Sequence, residues 1–181
     1  GKDSRYINGL LVQELPPIAK PKIRTEVEEI DGRDGDIVTP LGYSAYDKEL
    51  KIGLYGDYRI DDIISYFDSS GKVTFSNEVD KYYRYQIVEQ IDFSRLVRFK
   101  TATVKFHVQP FKYSNVDTKK VFTFDRADIT SVGIRNNGNT IARPIITIEG
   151  EGTVLLSLNG KNIFAIVFGE DRYITIDVEK M

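Results

Sequence analysis

At 181 residues the chain is long enough for one sizeable domain or two small ones, and 41% hydrophobic against 29% charged residues is an ordinary globular balance. The formal net charge is −2, with 21 basic and 21 acidic residues in positions 1–135 and 4 against 6 in 136–181, so no clustered cationic excess supports nucleic-acid binding. The absence of cysteine excludes disulfides, thiolate metal sites and thiol nucleophiles, and neither a run of roughly 18 apolar residues nor a signal-peptide pattern is seen, so the chain reads as soluble, made inside the cell and without a membrane partner.

The first apolar stretch, Leu10-Leu11-Val12-Gln13-Glu14-Leu15-Pro16-Pro17-Ile18, runs into prolines that fix φ and remove amide donors. It is expected to be an extended arm rather than a helix, burying Leu10, Leu11, Val12, Leu15 and Ile18 along a sheet and making contacts between copies of the chain. Gly32-Arg33-Asp34-Gly35 carries the residues of a tight turn, with at least one glycine at positive φ. Arg33 is the side chain expected to reach a neighbouring segment or subunit.

Alternation then sets in. Leu50, Ile52 and Leu54 fall on one side of a strand, and Lys51, Gly53 and Tyr55 on the other. Ile60, Ile63, Ile64 and Phe67 repeat at helical spacing behind Asp61 and Asp62, which suit the positive end of a helix dipole, and Ser69-Ser70-Gly71 ends the helix. This is the one helix the pattern predicts. Strands follow at Val73 to Ser76, Arg84 to Gln90, Phe93 to Phe99 and, longest, Ala102 to Pro110, where Ala102, Val104, Phe106 and Val108 share a face. Further strands are expected at Val121 to Phe124 and near Ile129 to Ile134.

The polar run Arg135-Asn136-Asn137-Gly138-Asn139-Thr140 marks a domain boundary, dividing the chain into 1–135 and 136–181. Beyond it, strands are predicted at Pro144 to Glu149, Thr153 to Leu158, Asn162 to Phe168 and Tyr173 to Asp177, the middle two joined by Asn159-Gly160, a strong hairpin signal.

Motifs that could carry chemistry read more simply as structure. His107 is the only histidine and lies on the outward phase of its strand, and without a second histidine or any cysteine a typical zinc site cannot be built. Asp31, Asp34 and Asp36 lack calcium-loop spacing, since the position twelve along is Gly42 rather than Glu. Gly71-Lys72 and Gly160-Lys161 do not complete a phosphate-binding loop. No G-x-S-x-G elbow occurs, and the carboxylates, though plentiful, form no recognisable glycosidase pair. Tyr82, Tyr83 and Tyr85 are assigned to core or interface ahead of sugar stacking. No catalytic residue, metal or cofactor is expected.

Glu14-Leu15-Pro16-Pro17, then Glu29-Ile30-Asp31-Gly32-Arg33-Asp34-Gly35, a short helix, Tyr82-Tyr83 and Phe106-His107-Val108-Gln109-Pro110-Phe111 resemble, in that order, the N-terminal domain of siphophage distal tail proteins. The later Ala142-Arg143-Pro144, Leu158-Asn159-Gly160 and Ile174-Thr175-Ile176-Asp177 are similar to the start of that family's C-terminal β-sandwich. The resemblance implies a mainly β fold with one short helix, in which a β-sandwich or split-barrel domain forms a ring, usually of six copies. The ring would lie between the tail tube protein and the tail-associated hub protein. A galectin-like or carbohydrate-module-like second domain would project outward and can carry receptor-binding proteins. Pro144 to Met181 is only 38 residues, so this second β-sandwich is expected to be partial. The competing reading is a carbohydrate-binding module with the same type of fold.

Overall fold

The computed structural model describes residues 2–67, 69–116, 119–124, 131–169 and 172–178. Two compact units are present, Gly1–Lys119 and Lys120–Met181, the division falling ahead of the Arg135/Asn136 boundary expected from composition.

In the first unit a single 3-10 turn, Ser4–Tyr6, is capped by the Asp3 carboxylate and leads into β1 (Leu10–Glu14). Strands β2 (Ile23–Glu28) and β3 (Ile37–Tyr43) form a separate hairpin. Then come β4 (Tyr46–Leu54), α1 (Ile60–Tyr66), β5 (Ser70–Val73), β6 (Lys81–Gln86), α2 (Phe93–Phe99) and β7 (Thr101–Ser114). The main sheet is antiparallel with strand order β1-β4-β7-β6-β5, so the long β7 lies at its centre.

The predicted inner faces are the core. Leu50, Ile52 and Leu54 of β4 and Ala102, Val104, Phe106 and Val108 of β7 are buried, joined by Ile63 of α1, Leu96 of α2, Phe75 and Tyr83. Side chains as enclosed as Ile52, Ile63 and Val104 each contribute roughly 1.5–3 kcal/mol relative to an exposed position. Phe106 organises the aromatic part, with Tyr85 and Phe75 edge-on at 5.0 and 5.7 Å and Phe67 tilted at 6.5 Å. Tyr83 and Tyr85 thus share the inner face, two residues apart, while Tyr82 on the outer face stacks on its cross-strand partner Tyr113 at 5.3 Å.

Several expectations are corrected. Phe93–Phe99 is a helix, not a strand: Asp92 caps it by accepting from the Arg95 amide at 2.8 Å, and Lys100 ends it in the left-handed conformation. The one-helix expectation therefore becomes two among the described residues. In α1 only Ile63 is fully buried; Ile60 and Phe67 pack on the core from its two ends, whereas Ile64 is exposed. Strand β7 continues past Pro110. Pairing with β4 stops at Val108, and the register with β6 shifts between Tyr83 and Tyr85, so Pro110 occupies an irregularity where no ladder hydrogen bond is demanded of it. The strand expected at Val73 to Ser76 is β5, placed earlier, and the one at Arg84 to Gln90 is β6, likewise earlier. Val121 to Phe124 forms no strand; nor do residues 131–134, while Ile129 and Thr130 lie outside the described residues.

The second unit holds β8 (Ile145–Glu149), β9 (Thr153–Leu158), β10 (Lys161–Val167) and β11 (Tyr173–Asp177), close to the predicted spans. β9 and β10 make the predicted hairpin, with Asn159 and Gly160 both at positive φ (51° and 77°) as a type I′ turn requires. β8 pairs with β11, placing Ile146 opposite Ile176 and Ile148 opposite Ile174 on one face.

Candidate assembly surfaces

Among the described residues no group of three or more His, Cys, Asp or Glu could hold a metal ion, and Asp31, Asp34 and Asp36 are exposed along the hairpin loop. His107 lies on the outer face of β7, as its phase predicts, and its Nδ1 sits 2.7 Å from the Asp47 carboxylate directly across the β4–β7 ladder. On that outer face Lys51 donates to its cross-strand partner Glu14 at 2.6 Å, and Lys105 donates to Glu89, beyond the end of β6, at 2.8 Å. The stacked tyrosines are engaged as well, with the Lys72 ammonium 4.9 Å from the Tyr82 ring and the Arg84 guanidinium 4.9 Å from that of Tyr113.

The arm is more integrated than its sequence suggests. Leu10 is buried within the chain's own core, and Val12 and Leu15 pack against it, because β1 is the edge strand beside β4. Only Leu11 (46%) and Ile18 (60%) remain exposed for contacts elsewhere. Gly9 sets the entry. Its φ of 73° is reserved for glycine, and a Cβ there would stand 2.5 Å from the Tyr58 Cβ and 2.9 Å from two backbone oxygens.

Where the arm leaves the sheet, two successive proline carbonyls are held by side chains. Asn77 donates to the Pro16 carbonyl at 2.9 Å and Lys48 to the Pro17 carbonyl at 2.8 Å. Lys48 is only 2% exposed and lies between the Tyr83, Phe75 and Tyr46 rings at 4.8, 5.6 and 5.9 Å. Burial pushes its ammonium below the usual lysine range, with Glu78 working the other way. Glu78 accepts from the Tyr83 hydroxyl and from Lys112. Burial opposes its ionisation, but those two hydrogen bonds outweigh burial and hold the carboxyl below its ordinary value, while burial and the bond to Glu78 push the Tyr83 phenol up.

This cluster was not singled out from the sequence, yet a signal was there. Lys48 stands two residues before Leu50 and so falls on the inward phase of β4, a position where a lysine must find a carbonyl or a carboxylate.

Beyond the clamp comes the β2–β3 hairpin, in which every residue of β2 is exposed. Val27 opposes Val38 and Ile23 opposes Tyr43, a register that puts these four on one face, with Glu26 and Glu28 on the other. Leu41 is the extra residue of a bulge. The base is closed by the Ser44 amide on the Lys22 carbonyl at 2.8 Å and by Tyr43 edge-on to Phe111 at 5.5 Å. Gly32 and Gly35 both have positive φ (82° and 76°), as the turn reading requires; Arg33 and Asp34 between them are exposed, and the Arg33 amide donates to the Ile30 carbonyl at 3.1 Å.

A family model described as the phage tail protein RIFT-related domain matches residues 7–108. Among solved structures, the chain is similar to the SPP1 Dit protein, whose crystal structure is described as a paradigm of the hub adsorption apparatus in phages infecting Gram-positive bacteria. The TM-score is 0.65 at 21% sequence identity, over 95% of this chain and 75% of that one. No curated protein sequence matches.

Proposed function

Since the chain belongs to the family of phage tail proteins that carry the RIFT-related domain, and is a mainly β component of the virion tail with the distal tail protein fold, we propose that it is the ring-forming hub joining the tail tube to the host-adsorption apparatus. Six copies closed head to tail are the assembly this reading predicts. The first unit forms the ring, docking on the tail tube protein on one side and the tail-associated hub protein on the other, and the second unit faces outward toward receptor-binding proteins.

The observation that carries this reading is the β2–β3 hairpin. A two-stranded hairpin with an uncovered apolar face is marginal in water by itself, and here Val27 and Val38 are 54% and 56% exposed. Such a face is suited to being covered by another subunit. Leu11 and Ile18 on the arm, and Arg33 at the hairpin tip, supply further contact positions between copies. The protein acts by binding, and no catalytic step is assigned to it.

Electron micrographs of assembled tails test the proposal. A six-fold ring at the tube end is expected, and its loss on deleting the protein should leave tails that do not adsorb to cells. One or two copies at the tube end would contradict it.

A further inference from the structure

Lys48 stands where its charge is costly. It is buried on the inward phase of β4, a place where an apolar side chain of similar length would avoid desolvating an ammonium, and replacing buried charges by apolar residues often leaves stability unchanged or raises it. Three aromatic rings surround it, and Glu78, whose charge acts on it, is itself bonded to Tyr83 and Lys112. The hydrogen bond that Lys48 makes goes to the Pro17 carbonyl. What the buried lysine secures is the path of the arm.

That path needs an anchor on acceptors. Pro16, Pro17 and Pro21 have no amide hydrogen, so at those positions the connector of residues 15–22 can be held through its carbonyls but cannot donate. Pro16 is fully buried and its carbonyl accepts from Asn77 in the β5–β6 connection, whereas residues 17–20 are exposed. The arm leaving β1 is thus tied to the strand beside it, β4, and to a connection on the far side of the sheet. On the return side, Ser44 and Ala45 alone separate β3 from β4, and Tyr43 rests on Phe111.

We propose that Lys48 and Asn77 are positioning residues whose grip on the Pro17 and Pro16 carbonyls forms a polar latch, one that fixes the direction in which the β2–β3 hairpin leaves the main sheet and adds little to the stability of that sheet. The latch holds the hairpin in one pose in the free chain, so the ordering is already done within the molecule.

Distances between spin labels test this, and the absence of cysteine allows a label at exposed Glu26→Cys on β2 paired with one at exposed Asp61→Cys on α1. In the full-length chain, diluted into unlabelled protein, this pair should give one narrow distance distribution. Lys48→Met should broaden it about twofold or more, while the melting midpoint stays within about 5 °C of the parent or rises. Asn77→Ala should broaden it less, and the two substitutions together most. A control pair within the body, Glu49→Cys with Asp61→Cys, should stay narrow throughout. An unchanged hairpin distance in the folded double variant would overturn the latch, as would a parent distribution already that broad. If Lys48→Met unfolds the chain or broadens the control pair, the lysine holds the sheet rather than the arm, and the proposal fails.

Discussion

Strands β4 and β2 carry the same kind of sequence, apolar residues alternating with charged ones, yet Leu50, Ile52 and Leu54 are buried and every residue of β2 is exposed. The difference lies in what the chain provides as cover. β4 is flanked by β1 and β7, and α1, α2 and Phe75 contribute side chains to the core on its inner face. Among the described residues β2 has only β3 as a strand neighbour. Alternation thus reports that a face seeks burial without saying whether the same molecule will bury it. In the sheet it does; in the hairpin Val27 and Val38 are left exposed.

This contrast predicts that mutations in the two regions separate stability from assembly. The largest effect is expected at Phe106, only 4% exposed and in contact with three aromatic rings: Phe106→Ala should cost about 3–5 kcal/mol, read by denaturant unfolding of the isolated protein. A loss below 1 kcal/mol would mean that the aromatic cluster is not the core. Gly9→Ala should cost about 1–3 kcal/mol, since it combines a left-handed backbone with a clash against Tyr58. Glu78→Gln should cost about 1–3 kcal/mol through weakened charged hydrogen bonds.

Glu78 also predicts a pH dependence. Its folded-state pKa lies below the unfolded value, so its contribution is fully present above the ordinary carboxylate range and is lost as pH falls through the depressed value. The melting temperature of the wild type should therefore drop on acidification more steeply than that of Glu78→Gln. Equal slopes would remove Glu78 as the titrating group.

At the small end, Val27→Thr should change the stability of the isolated chain by less than about 0.5 kcal/mol, because the residue is exposed there, while weakening assembly measured by sedimentation at increasing concentration. Calcium and chelator should leave the melting curve unchanged if Asp31, Asp34 and Asp36 serve only the turn.

Much of this was legible from residue pattern. Period-two alternation located the inner faces of β4 and β7, and Asn159-Gly160 located the β9–β10 turn, because these signals depend on local geometry alone. Phe93–Phe99 reads as a strand because Phe93, Val97 and Phe99 fall on one alternating phase of a short run rich in strand-favouring residues. The helix is marked by the Asp92 cap at its start, with Leu96 as its buried residue. The carbonyl clamp was not legible, since it joins Lys48 to Pro17 and Asn77 to Pro16 across 31 and 61 residues. Nor could the arm's division into buried Leu10 and exposed Leu11 be seen before its pairing with β4 was known.

The order of pairing along the chain has a further consequence during synthesis. The β2–β3 hairpin closes between neighbours in sequence, whereas β4 cannot find its central partner until Val108, opposite Tyr46, has left the ribosome. At ordinary translation rates roughly 3–13 s separate the appearance of Tyr43 from that of Val108, ample time for a hairpin to form. The hairpin with its exposed apolar face is therefore present before the sheet that carries it. Nascent chains on one messenger would be exposed to premature contact through that apolar face, were it not for the carboxylates on its reverse side and around its loop. Their like charge opposes close approach of neighbouring unfinished chains.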